Sequence, residues 1–137
     1  MENLLSKRLK VALLCGAITT AIVLLYNFDP AAPDTFFPAS PFRSLTNLYC
    51  PGCGTTRGLH QILHGNILAA LDLNPLMVLF LPYLIYAFCA YSAPVITSYR
   101  LPQPYVKGKW IWGLLVIVLA YWVLRNLPMW PFSWLAP

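Results

Sequence analysis

Cys50, Cys53, Arg57, His60 and His64 crowd into one short stretch of the chain, and any chemistry is centred there. A two-residue spacer in Cys50-Pro51-Gly52-Cys53 brings the two sulfurs within bonding reach, which makes a disulfide or a thiol redox pair the first candidate. Cys53 stands just before an expected helix N-terminus and four residues from Arg57. The helix dipole and the positive charge both favour its thiolate. A metal centre is the second candidate: Cys50, Cys53, His60 and His64 form a C-x2-C-x6-H-x3-H array, with the histidines four apart on one helical face. Four sulfur and nitrogen ligands suit tetrahedral zinc, although the six-residue gap is shorter than in the usual zinc fingers. No histidine follows Cys53 directly, which argues against covalent c-type haem. The third reading is structural. The cysteines staple a tight Pro-Gly turn, the histidines are interfacial polar residues, and Arg57 pairs with Asp72 or with lipid headgroups. All three stay open on the sequence alone. An arginine in a first helical turn opposes the dipole, so Arg57 is expected to reach a carbonyl, an acid or a phosphate.

The residues that follow must hold this turn. Leu59, Ile62, Leu63, Ile67, Ala70 and Leu71 recur at helical spacing, with Arg57, His60, Gln61 and His64 on the other side. Gly65-Asn66 interrupts the pattern with a residue suited to ending one helix and another suited to capping the next. Two short amphipathic helices are therefore predicted, over about 56–64 and 67–73. They are too short to span a bilayer and would lie in the interface or over the mouth of a helical bundle. Asn74-Pro75 has the form of a further helix start, with asparagine at the cap and proline at the first helical position.

The surroundings are apolar. Hydrophobic residues make up 59% of the 137 and charged residues 9%, with a mean hydropathy of +0.65. Soluble domains carry roughly 25% charged residues, so this balance excludes a soluble globular fold. Transmembrane helices are predicted over about 11–28, 75–99 and 110–127. An uncleaved first helix is preferred to a signal peptide, because no small-x-small cleavage site follows the apolar run. Pro82 and Pro94 lie within the second span and predict a kink and an early end. Residues 29–41 hold four prolines and form a loop, with Phe36, Phe37 and Phe42 at the membrane interface. Cys15 and Cys89 fall inside spans and read as small buried apolar residues. Lys7, Arg8 and Lys10 precede the first helix, and Arg100, Lys107 and Lys109 separate the second from the third. By the bias of basic residues toward the cytoplasm, the N-terminus lies inside, and the motif loop and C-terminus outside.

The net charge of +5 invites a nucleic-acid reading, but the basic residues sit at the ends of apolar runs and build no basic stripe. No hydrolase set can be assembled from four acidic residues with only Asp72 near the histidines, so the reading leans away from an enzyme. No ionisable residue lies deep in a span to mark a transport path.

Cys50, Pro51, Cys53, Gly54, Thr56, Arg57, Asn74 and Pro75 match a recognisable pattern. The stretch resembles a family of small bacterial membrane proteins of undescribed function, with a Cys-Pro-x-Cys-Gly-x-Thr-Arg run and a following Asn-Pro at a transmembrane helix start. The resemblance implies structural motif roles for these residues and no activity, and the histidines are not part of it. The expectation is one all-α membrane domain over 1–137, multi-pass in the cell membrane, with its motif region at 50–75. Three transmembrane helices are joined, between the first and second, by one or two interfacial helices. Its surroundings are the lipid bilayer, and its role is a structural or partner-binding component that assembles with a membrane protein or with itself. The alternative is a membrane thiol-redox or metal-binding protein working through Cys50 and Cys53.

Overall fold

The structure is a computed structural model, describing residues 4–32, 35, 37, 40–97, 99, 101–130 and 132–136. Among them are six α-helices and one 3-10 turn, with no strand: α1 Leu4–Asn27, α2 Pro41–Thr46, α3 Thr55–Leu63, α4 Ile67–Leu73, α5 Pro75–Ile96, α6 Gly108–Arg125, and the 3-10 turn Phe132–Leu135. Three stretches are long and apolar enough to cross a membrane: Leu5–Asn27, Pro75–Ile96 and Gly108–Arg125. They fit a multi-pass membrane protein. Their surfaces carry exposed aliphatic side chains such as Leu13, Val23, Leu84, Ile85, Val116 and Ile117, which lipid and not water can cover.

Several boundaries differ from expectation for local reasons. Lys7, Arg8 and Lys10 lie inside the first turns of α1 instead of ahead of it. α5 runs through Pro82 and ends at Ile96, two residues past Pro94 and short of the expected Tyr99. An unexpected helix, α2, follows the proline-rich loop. Pro41 occupies its first turn, and Asn47, left-handed at φ 57°, ends it. Phe42, in α2, packs edge-on against Trp122 of α6 at 5.9 Å. Phe36 lies outside the described residues. Cys89 is exposed and Cys15 half-buried, so neither is the buried apolar residue expected.

The chain divides into two compact units, Met1–Leu24 with Phe80–Tyr105, and Leu25–Leu79 with Val106–Pro137. The first contains most of α1 and α5, with Val11, Ala90 and Ser92 buried. Its following loop is tied by the Tyr86 hydroxyl, which donates to the Pro102 carbonyl at 2.8 Å. The second unit holds every motif residue. Here α3 packs on α4, and the 3-10 turn packs on α6 and α4.

The break between α3 and α4 falls where the glycine predicted it. Gly65 is left-handed at φ +81°, its amide donates to Ile62 O at 3.0 Å, and the Asn66 amide donates to Gln61 O at 2.8 Å. This is the paired 5→2 and 6→1 closure that ends a helix in a reversal. A Cβ at Gly65 would meet nothing, so Gly65→Ala is expected to cost only the conformational term of about 1–2 kcal/mol. Chemical or thermal unfolding in detergent checks this, with no thermal shift being the contrary result.

Candidate functional site

The Cys50–Cys53 segment is a β-turn with proline and glycine at its two central positions. The Cys53 amide donates to Cys50 O at 3.1 Å, and the Thr55 amide donates to Gly52 O at 3.0 Å. Gly54, left-handed at φ 84°, then swings the chain into α3. The result is a close pair of sulfurs. Cys50 Sγ and Cys53 Sγ are 2.6 Å apart, and the Cys50 amide donates to Cys53 Sγ at 3.0 Å. The Ser40 hydroxyl donates to Cys50 Sγ at 3.8 Å. Cys53 is buried, while Cys50 is half-buried and forms the more open side of the pair.

Three polar side chains from helix ends hold the carbonyls of this turn. Asn74 is 1% exposed. Its amide nitrogen donates to Pro51 O at 3.2 Å, Cys53 O at 3.4 Å and Thr55 Oγ1 at 3.1 Å. Its oxygen accepts from the Met77 amide at 3.1 Å, the cap expected for α5, and from the Tyr121 hydroxyl at 3.3 Å. Arg125, at the end of α6, is also 1% exposed. It donates to Leu73 O at 2.8 Å, and at 3.4 Å to both Cys50 O and Pro51 O. The ring of Tyr121 lies 5.4 Å from its guanidinium carbon and that of Tyr49 5.9 Å, both within cation–π range. The next residue, Asn126, accepts from the Tyr49 amide at 2.8 Å and donates to the Tyr49 carbonyl at 3.0 Å. A chain segment that would otherwise be an irregular loop with unpaired carbonyls is thereby satisfied by side chains.

The electrostatics of the pair follow from these contacts. Burial pushes the Cys53 thiol up. The Cys50 thiol, the Cys50 amide, the Ser40 hydroxyl and the positive charge of Arg125 pull it down, and together they leave it below the usual thiol value. Because the folded-state value is depressed, the linked stabilisation is present above the ordinary thiol range and is lost as pH falls through the folded-state value.

The remaining motif residues go elsewhere. His60 donates its Nδ1–H to Leu25 O at 2.6 Å, filling one of the free carbonyls in the last turn of α1. His64 donates to His60 O at 2.9 Å and stacks on the ring of Tyr26 at 4.7 Å. Among the described residues no group of three or more His, Cys, Asp or Glu side chains is placed to hold a metal ion. The expected array of Cys50, Cys53, His60 and His64 is therefore not gathered into one zinc-binding set. The four-residue spacing does bring the histidines together, with ring centroids 4.3 Å apart, but their Nδ1 atoms serve helix carbonyls.

Arg57 is exposed and has no partner among the described residues, neither Asp72 nor the carbonyl expected of it. The carbonyl-binding arginine is Arg125. Thr56 is exposed as well, and its neighbour Thr55 makes the contact with Asn74. Arg125, Asn126, Tyr49 and Tyr121 were not singled out by sequence. The available signal was the polar Arg125-Asn126 pair closing the last apolar run, which reads equally well as an interfacial anchor.

Fold and site together define a small all-helical protein with three membrane-length helices and a buried-arginine cysteine turn on one of its units. Within it, residues 40–88 match the profile of a family described as protein of unknown function (DUF2752). The matched region takes in the turn, α2 to α4 and much of α5, and stops short of α6. No curated protein and no solved structure matches the chain.

Proposed function

We propose that this protein is a membrane thiol–disulfide protein whose working groups are Cys50 and Cys53. The observation that carries the reading is the pair of sulfurs 2.6 Å apart on a turn whose carbonyls are held by buried Arg125 and Asn74. A rigid turn keeps two thiols in bonding geometry through both redox states, at little cost in ordering. Half-buried Cys50 is the sulfur that meets an incoming disulfide, and buried Cys53 resolves the mixed disulfide that forms. Overall, two thiols of this chain and one disulfide of a partner become one disulfide here and two thiols there. Two electrons and two protons pass to the partner. Charges flanking the apolar helices support a turn on the outer side of the membrane, where disulfides persist.

The test uses the full chain with Cys15 and Cys89 replaced by serine. Cys50 and Cys53 are expected to take maleimide fully only after reduction, and a small aromatic disulfide should oxidise the reduced pair to an internal disulfide. Cys53→Ser should stop at the mixed disulfide on Cys50. Thiols that are fully labelled without reductant and never close on each other would leave the turn a structural hub for assembly with a partner.

A further inference from the structure

Among the described residues no carboxylate balances the buried charge beside the sulfurs. Among the described residues Arg125 is the only buried charged side chain. Its hydrogen-bond acceptors are three backbone carbonyls, and its Nε–H is buried without an acceptor. Removing a guanidinium from water costs several kcal/mol unless other charges or dipoles compensate. Carbonyls and aromatic rings compensate in part. A full negative charge near the guanidinium does so far better, and the turn it grips carries two thiols.

We propose that Arg125 is the positioning residue that supplies the counter-charge for a Cys53 thiolate and so sets the redox poise of the Cys50–Cys53 pair. This rests on the thiol–disulfide reading given above. The other ionisable groups around the turn are accounted for. Cys50 shares the sulfur contact. From α6, Tyr121 faces the guanidinium and bonds Asn74. Arg43 of α2 lies over the ring of Tyr49 at 4.1 Å and donates to the Tyr49 hydroxyl at 3.1 Å. Arg57 of α3 and Asp72 of α4 are exposed, and His60 is turned to Leu25 O. Arg125 is thus the charge in place to act on the buried sulfur, and it stabilises the reduced, anionic form over the disulfide. Its loss makes the pair a weaker oxidant.

The experiment reads Cys53 alone, in the full chain in detergent with Cys15, Cys50 and Cys89 replaced by serine. The rate of iodoacetamide alkylation is followed against pH. Arg125→Gln keeps an amide donor and loses the charge. It is expected to move the titration midpoint up by about one unit and to slow alkylation at neutral pH about tenfold. Arg125→Lys keeps the charge and loses the fork, and should stay close to the parent. Asn126→Ala loosens the Tyr49 tether without touching the charge and should also stay close. With all native cysteines of the turn restored, Arg125→Gln should shift the equilibrium with glutathione toward the internal disulfide. The proposal is overturned if the glutamine, lysine and Asn126 variants shift the midpoint equally, which marks a purely structural role, or if none shifts it. If one of them does not fold, the comparison of the remaining two against the parent decides the same question. A shifted midpoint in a chain whose pair never exchanges with a disulfide would retain Arg125 as counter-charge and remove the redox function.

Discussion

Asn74→Ala is expected to lower the unfolding free energy by about 2–4 kcal/mol, the largest loss from a single side chain that touches neither sulfur. Asn74 is almost completely buried and meets five partners. Alanine leaves the Pro51 and Cys53 carbonyls and the Tyr121 hydroxyl without it, and α5 loses its cap. Each buried polar group left unpaired costs about 1–3 kcal/mol, and a lost cap about 1. Asn74→Asp separates the two halves of the residue: its oxygens still accept from Met77 and Tyr121, while the donors to the turn are gone. An intermediate loss is expected. Unfolding of purified protein in mixed micelles measures both. A loss below about 0.5 kcal/mol for alanine, the range of a surface position, would mean that the turn does not depend on this residue.

Gly58→Val is expected to cost about 1–3 kcal/mol by overpacking. Gly58 is buried where α3 crosses α4 and the start of α5. A Cβ there would sit 2.7 Å from the terminal methyl of Met77, 3.6 Å from the Ala70 carbonyl oxygen and 3.9 Å from Leu73 Cβ. The methyl end of Met77 is flexible and can swing aside. Gly58→Ala is therefore expected to cost under about 1 kcal/mol, since the helix also prefers alanine to glycine. The added γ-carbons of valine reach further, and backbone does not yield as a methionine does. Pairing each change with Met77→Ala gives the check: the alanine variant should recover and the valine variant should not. Equal recovery of both would locate the whole clash at Met77.

What could be read from the chain was local. Apolar runs of membrane length, the Gly65-Asn66 reversal, the Asn74-Pro75 start and the Pro-Gly turn each depend on residues within a few positions of one another, and each is found. What could not be read depends on partners far along the chain. Arg57 and Arg125 are indistinguishable by type. Only the approach of the end of α6 to the turn makes one a buried ligand of carbonyls and leaves the other at the surface. The histidine spacing was legible but its direction was not, because the free carbonyl of Leu25 at the end of α1 lies far from the motif in sequence and orients the His60 ring through its Nδ1–H.

The bond from Arg125 to the Cys50 carbonyl joins residues 75 positions apart. A ribosome adding about 5–20 residues per second makes the cysteines several seconds before it makes the arginine. Asn74 follows Cys53 by only 21 residues, so of the two largest fully buried side chains among the described residues it is the first to reach the nascent turn. The carbonyls of the turn therefore gain their buried cation only after α6 has been made.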